Sequence, residues 1–327
     1  MTATIARPPY DPELARTLDA LKDLLPVTVT ADMIPALRTM AAGRSTAELA
    51  IGDRPIEHQT MVIDGYDGAQ IEVSVLRRRD HTTATAGVYF VHGGGMMFGN
   101  RFTDLGQLAG WVEEFDVVGV SVEYRLAHEF PDPYPVEDSY AGLTWMAAHA
   151  DELGIDPDRI IVAGASAGGG IAAGTVLLAR DRQGPPVLGQ MLFYPMLDDR
   201  DATTSTHQYE GIGIWDRGSN LTGWTALLGE RRGTDDVSIY AAPARAEHLG
   251  GLPVTYLDCG SAEVFRDEDV AYASALWAAG VQAELHVWPG GFHTFDTMAP
   301  DAALTARMLD ARLSWLRRLL TTTEETA

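Results

Sequence analysis

At 327 residues the chain is long enough to bury a large core as one domain or two. Its 46% hydrophobic and 21% charged residues are the make-up of a globular protein, and no run reaches the ~20 apolar residues of a membrane span, so no stable membrane association is expected. A formal net charge of −22 argues against a nucleic-acid partner, which needs a basic surface, and is read as a solvated acidic exterior.

The opening 13 residues lack a basic start followed by an apolar run, so no secretory signal is read there. The single cysteine, Cys259, allows no intramolecular disulfide framework; together these point to the cytoplasm. Asp11 and Pro12 mark a helix start, and Leu14, Leu18, Leu21 and Leu25 recur at helical spacing before Pro26. A second short helix follows, with Met33, Leu37 and Met40 on one face. Strand-like runs near 60–63 and 71–76 flank two Asp-Gly pairs, Asp64-Gly65 and Asp67-Gly68, read as their turn.

From Gly87 the pattern changes to strand, loop, helix. Strand-like runs lie at 88–91, 117–122, 160–163, 191–194, 254–257 and 281–287, with helical stretches near 104–114, 135–152, 167–182, 268–279 and 301–320. In the last helix Leu309, Leu313, Leu316 and Leu320 are expected to form the buried stripe. This alternation implies an α/β fold with a mostly parallel sheet covered on both faces. About sixty residues between Tyr194 and Val254 exceed any ordinary loop, and 201–235 is read as a helical insertion packing on the N-terminal helices as a lid. The expected organisation is cap helices over 1–45, a catalytic core over 46–200 and 236–327, and a cap insertion over 201–235. A short polar tail after Leu320 is expected to fray.

The chemistry centres on Gly164-Ala165-Ser166-Ala167-Gly168, directly after an apolar strand and directly before a helix. A serine there sits on a sharp turn above the carboxyl edge of the sheet, with small neighbours permitting the strained backbone. The helix start beneath it favours negative charge near a reacting carbon. Upstream, His92-Gly93-Gly94-Gly95 ends another strand, and its glycines let amides point into a site. We assign oxyanion donors to the amides of Gly94, Gly95 and Ala167. The Gly run lacks the Gly-Lys-Ser/Thr ending of a phosphate loop, and His92 is read as structural.

Of nine histidines, His293 in Pro289-Gly290-Gly291-Phe292-His293 is best placed as base, in a loop after the last strand and before the final helix. His286 lies inside the strand pattern. The orienting carboxylate belongs in the loop after 254–257, where Asp258, Glu263, Asp267, Glu268 and Asp269 are candidates. Asp258 belongs to the strand end and 267–269 reads as acid at a helix start, so Glu263 is favoured. Met96, Met97 and Phe98 are placed to line an acyl or alcohol pocket, or simply to pack the core. Trp215 and Trp224 face substrate from the insertion or hold it together. Cys259 is read as a small buried hydrophobe, and no cluster has metal-ligand spacing.

Taken together these segments resemble the hormone-sensitive-lipase-like family of α/β-hydrolases, a group of bacterial esterases and their relatives. The matching runs are His92-Gly93-Gly94-Gly95, Tyr124-Arg125-Leu126-Ala127, Gly164 to Gly169, Arg266-Asp267-Glu268 and Gly291 to Phe295. The resemblance implies an eight-stranded, mostly parallel sheet with a helical cap, no cofactor and a homodimer. It places the catalytic triad on Ser166, Glu263 and His293. The sequence departs from the family at Ala165 and Glu263, where aspartate is usual, and at His128, where proline is usual. The implied activity is hydrolysis of short- to medium-chain carboxylic esters, a small-molecule substrate class, through an acyl-enzyme on Ser166. Rival readings are an acyltransferase, cyclase or amidase using the same triad, or a non-catalytic binding protein. Dehalogenase chemistry would place aspartate at position 166.

Overall fold

A computed structural model describes residues 5–322. Helix α1 (Pro12–Leu21) starts where Asp11 and Pro12 predict. The Asp11 carboxylate accepts from the amides of Glu13 and Leu14, and Pro12 occupies a position where a missing N–H is tolerated. Then come α2 (Ile34–Arg44), α3 (Ala47–Ile51), and the antiparallel pair β1 (Ile56–Asp64) and β2 (Gln70–Arg78). The alternating half follows as β3 (Thr85–Val91), α4 (Leu105–Phe115), β4 (Val118–Val122), α5 (Tyr134–Ala148), α6 (Ala150–Leu153), β5 (Ile155–Ala165) and α7 (Ala167–Asp181). It continues through β6 (Gly189–Phe193), α8 (Thr204–Gln208), α9 (Arg217–Leu228), β7 (Val254–Gly260) and α10 (Arg266–Ala278). The chain ends with β8 (Ala283–Trp288), α11 (Phe295–Met298) and α12 (Ala303–Thr322).

The strands form one eight-stranded sheet in the order β1-β2-β4-β3-β5-β6-β7-β8, in which β2 alone runs against the rest. The central strands read as unbroken apolar runs because both faces are covered. In β3 and β5, Tyr89, Val91, Ile160 and Val162 join one core, with residues of α5, α7 and α10. Their neighbours Val88, Phe90, Ile161 and Ala163 join the other, with residues of α4 and α12. The two-residue period of a strand thus feeds two separate helix layers.

Several expectations need correction. In α1 the row of leucines buries Leu14, while Leu25 lies beyond the helix. In α2 the buried residue is Ile34, and Met40 is exposed. The helix expected over 135–152 breaks at His149, whose φ of −109° and ψ of 19° leave the helical region. In α12 Leu309 is exposed, and the buried row is Leu304, Met308, Arg312, Trp315 and Leu316. A buried arginine in mid-stripe is invisible to hydrophobic spacing, so a reading from leucines alone turns the face by one position. Thr321 and Thr322 still belong to α12; the remainder of the polar tail lies outside the described residues.

The long connection between β6 and β7 carries α8, α9 and 3-10 turns at Gly229–Arg231 and Pro243–Arg245. It leans on the N-terminal segment. The Thr28 hydroxyl donates to Asp216 Oδ2 (2.7 Å), the Val29 amide to Ser219 Oγ (2.8 Å), and the Tyr209 hydroxyl to the Pro8 carbonyl (3.2 Å). Asp216 also caps α9 through the Ser219 amide, so one carboxylate joins helix start to N-terminal strap. Among the described residues no helix is long and apolar enough to cross a membrane.

Candidate active site

Ser166 forms the turn between β5 and α7, with φ 56° and ψ −124°. An L-residue adopts that conformation at a cost of about 1–3 kcal/mol, which the surroundings must offset. Its amide donates to the Phe193 carbonyl (2.8 Å), and its carbonyl accepts from the Met196 amide (3.0 Å). Gly168 makes the turn possible: a Cβ there would fall 2.2 Å from the Val91 oxygen and 2.3 Å from the His92 oxygen. Only glycine lets α7 start so close to the end of β3.

The Ser166 Oγ lies 2.9 Å from His293 Nε2, and His293 Nδ1 lies 2.6 Å from Glu263 Oε2. The other Glu263 oxygen accepts from the Gly260 amide (2.5 Å). A carboxylate on Nδ1 favours the tautomer with the proton on that nitrogen, leaving Nε2 to accept from the serine hydroxyl. All three side chains are buried, and Tyr194 and Phe265 press edge-on against the imidazole at 5.0 and 5.1 Å. Three of the other four candidate acids are engaged elsewhere, and the fourth, Asp269, is buried in α10. Asp258 binds Arg312 and the Tyr256 hydroxyl, Asp267 accepts from the Ser205 amide, and Glu268 accepts from the Leu197 amide.

The glycine run turns back on itself, with Gly94 at φ 118° and Gly95 at φ 59°. The Gly94 carbonyl accepts from the amides of Met97 and Phe98, both at 3.0 Å. The amides of Gly94, Gly95 and Ala167 donate to no protein acceptor among the described residues. His92 braces this loop. Its Nδ1 is 2.8 Å from the Gly93 carbonyl, its ring stacks on Tyr124 at 4.2 Å, and burial lowers its pKa.

A family model described as the alpha/beta hydrolase fold matches residues 88–297. Carboxylesterase NlhH of Mycobacterium tuberculosis is 34% identical over 324 residues, spanning 97% of this chain and 98% of the relative. The chain belongs to the hormone-sensitive-lipase-like family of α/β-hydrolases. Esterase LipI of the same organism is 32% identical over 286 residues, 86% of either chain. Among solved structures, a bacterial heroin esterase superimposes with a TM-score of 0.88 at 38% identity, covering 95% of this chain and 98% of the other. Esterase LipW of Mycobacterium marinum gives 0.86 at 31% identity, covering 96% and 98%.

In this hydrolase Met96 and Met97 are buried in the core cluster, and Phe98 is half-buried beside Trp215, ring centroids 6.4 Å apart. Trp215 comes from the insertion and lies 6.5 Å from the His293 ring. It packs so tightly on Gly95 that a Cβ there would meet the indole at 2.4 Å. Its indole N–H, like that of Trp224, is buried without a protein partner among the described residues. Among those residues no group of histidines, cysteines and carboxylates is placed to hold a metal.

Sequence reasoning missed Tyr194 and Phe265 beside the imidazole, and Asp104; it named Glu268 and Asp269, but as acid at a helix start, whereas both are buried. Burial, reinforced by Asp296, pushes Asp104 up to about 6. Burial also drives Glu268 and Asp269 well above the ordinary carboxylate range, and the Cys259 thiol pulls Asp269 only partly back. Asp269 therefore stays protonated in the folded chain above the pH at which it ionises when unfolded. Its contribution to stability is full below its unfolded pKa, near 3.8, and is lost as pH rises toward the folded value. Asp269→Asn is thus expected to gain stability relative to wild type as pH is raised from 5 to 8 in urea-unfolding curves. Parallel pH profiles for the two proteins would show that Asp269 does not carry this load.

Proposed function

We propose that this hydrolase is a serine carboxylesterase acting through an acyl-enzyme on Ser166. The observation that carries the reading is the continuous path Glu263–His293–Ser166, with both hydrogen bonds under 3 Å, next to a glycine turn with unpaired amides. His293 Nε2 takes the hydroxyl proton as Ser166 Oγ attacks the ester carbonyl, and the amides of Gly94, Gly95 and Ala167 receive the oxyanion. His293 then gives the proton to the leaving alcohol. Water, deprotonated by the same imidazole, attacks the acyl-enzyme and releases the acid. Glu263 stays hydrogen-bonded to Nδ1, holding the ring in its working tautomer. Its extra methylene is compatible with this role, since the 2.6 Å contact forms while Oε1 still reaches Gly260. Carboxylesterase and esterase relatives along most of the chain support the same reaction.

In this reading the cap is formed by 201–235 and by the N-terminal segment expected over 1–45, of which 1–4 lie outside the described residues, and Met96, Met97, Phe98 and Trp215 shape the substrate pocket. Trp215, seated on Gly95 and near His293, limits the room for acyl groups. Hydrolysis of 4-nitrophenyl esters from acetate to palmitate is therefore expected to peak at short to medium chains. A maximum at palmitate would overturn this assignment of chain length.

A further inference from the structure

One side chain of the N-terminal segment reaches the glycine turn. From α2, Arg38 Nε donates to the Met97 carbonyl (2.8 Å) and Nη2 to the Ala127 carbonyl (2.7 Å). Nη1 and Nη2 also fork onto the two oxygens of Glu129, at 2.6 and 2.7 Å. Met97 belongs to the turn closed on the Gly94 carbonyl, and the Ala127 amide donates to the Met96 carbonyl (2.9 Å). The backbone on which Gly94 and Gly95 depend is thus gripped from its far side by Arg38, both directly and through Ala127. Gly94, Gly95 and Met96 all have positive φ, so the turn has little intrinsic preference for this shape and relies on such ties.

The guanidinium suits the task. Its planar donors serve two carbonyls and one carboxylate at once, whereas a lysine ammonium lacks the fork. Hydrogen bonds from Arg38 in turn pull the Glu129 carboxyl down to about 2, so the clamp stays charged across the neutral range. The same stretch of chain ties Thr28 and Val29 to Asp216 and Ser219, next to Trp215. Residues 28–38 therefore join the glycine turn to the insertion that covers it.

We propose that Arg38 is a positioning residue for ester hydrolysis. By holding the Met97 and Ala127 carbonyls it sets the Gly94 and Gly95 amides, so catalytic competence requires the N-terminal segment to be docked. The inference rests on the acyl-enzyme reading of Ser166 under Proposed function, the oxyanion assignment included.

The test compares wild type, Arg38→Ala, Arg38→Lys, Glu129→Gln and Ser166→Ala on a 4-nitrophenyl ester, with Tm recorded for each. A second readout is affinity for a trifluoromethyl ketone, whose hemiketal oxygen occupies the oxyanion position. Arg38→Ala is expected to lose roughly 10–100-fold in kcat with KM within about threefold, and to bind the ketone more weakly by a similar factor. Arg38→Lys should recover only a small part, and Glu129→Gln should show a milder loss of the same kind with a near-normal Tm. Full kcat and ketone affinity in folded Arg38→Ala, or a loss confined to Tm or KM, would overturn the proposal. Failure of the underlying reading looks different: Ser166→Ala would then match wild type, and this inference would fall with it.

Discussion

Ser166→Ala is expected to lower kcat for the best 4-nitrophenyl ester by roughly 10⁴–10⁶-fold while leaving the fold intact. The magnitude follows from removing the only atom that bonds to the acyl group, against which an orienting residue or one oxyanion donor counts for less. The turn should survive, because its shape is held by backbone bonds to Phe193 and Met196 and not by the hydroxyl. A fluorophosphonate should add once to wild type, at Ser166 by peptide mass, and not to the variant. Retained hydrolysis in Ser166→Ala would remove this serine from the mechanism. No hydrolysis of any chain length by folded wild type would turn the reading toward a specialised acyl-transfer enzyme.

Arg312→Met is expected to cost about 3–5 kcal/mol of stability, the usual penalty for breaking a buried ion pair from one side. Arg312 lies fully buried in α12, with Nε and Nη2 on the two oxygens of Asp258 (2.8 and 2.9 Å) and Nη1 on Asp296 (2.7 Å). Its guanidinium also stacks 3.9 Å from the centre of the Phe193 ring. Methionine would fill much of the space and leave two carboxylates without a cation. Burial already pushes Asp258 upward against the pull of Arg312, so removing the arginine raises it further. A raised carboxyl stabilises the fold only at low pH, so the penalty should be larger at pH 8 than at pH 5. Urea unfolding at the two values measures both effects. A cost below about 1 kcal/mol, or one independent of pH, would show that Arg312 does not balance these acids. Tyr194 donates to Asp296 and packs against His293, so the variant should also show a smaller loss of activity.

Much of the fold and part of the site were legible in the sequence, because both depend on local pattern. Apolar runs alternating with helical stretches, with one serine elbow between glycines, identify the strand, turn and helix around Ser166 without a three-dimensional structure. The same reading singles out His293 and Glu263, as residues in loops that follow strands. What local pattern does not contain is which distant loops meet. Ser166 and His293 stand 127 residues apart, and their contact depends on a sheet order in which β5, β6, β7 and β8 are neighbours.

The residues that escaped the sequence reading share a physical cause. Arg312 sits at a position that hydrophobic spacing reserves for an apolar side chain, and is admitted only because Asp258 and Asp296 arrive from two other elements. Arg38 looks like a solvated helix residue until Met97, Ala127 and Glu129 are brought beneath it. Trp215 was named from the sequence, but its seat on Gly95 comes from the docking of the insertion. The sequence by itself determined the elements, the α/β class and the nucleophile's turn, since these follow from the period of burial and from backbone freedom at a few residues. Tertiary structure alone decided how buried charges are balanced and how the glycine turn is held, because both depend on partners supplied by segments far apart in the chain.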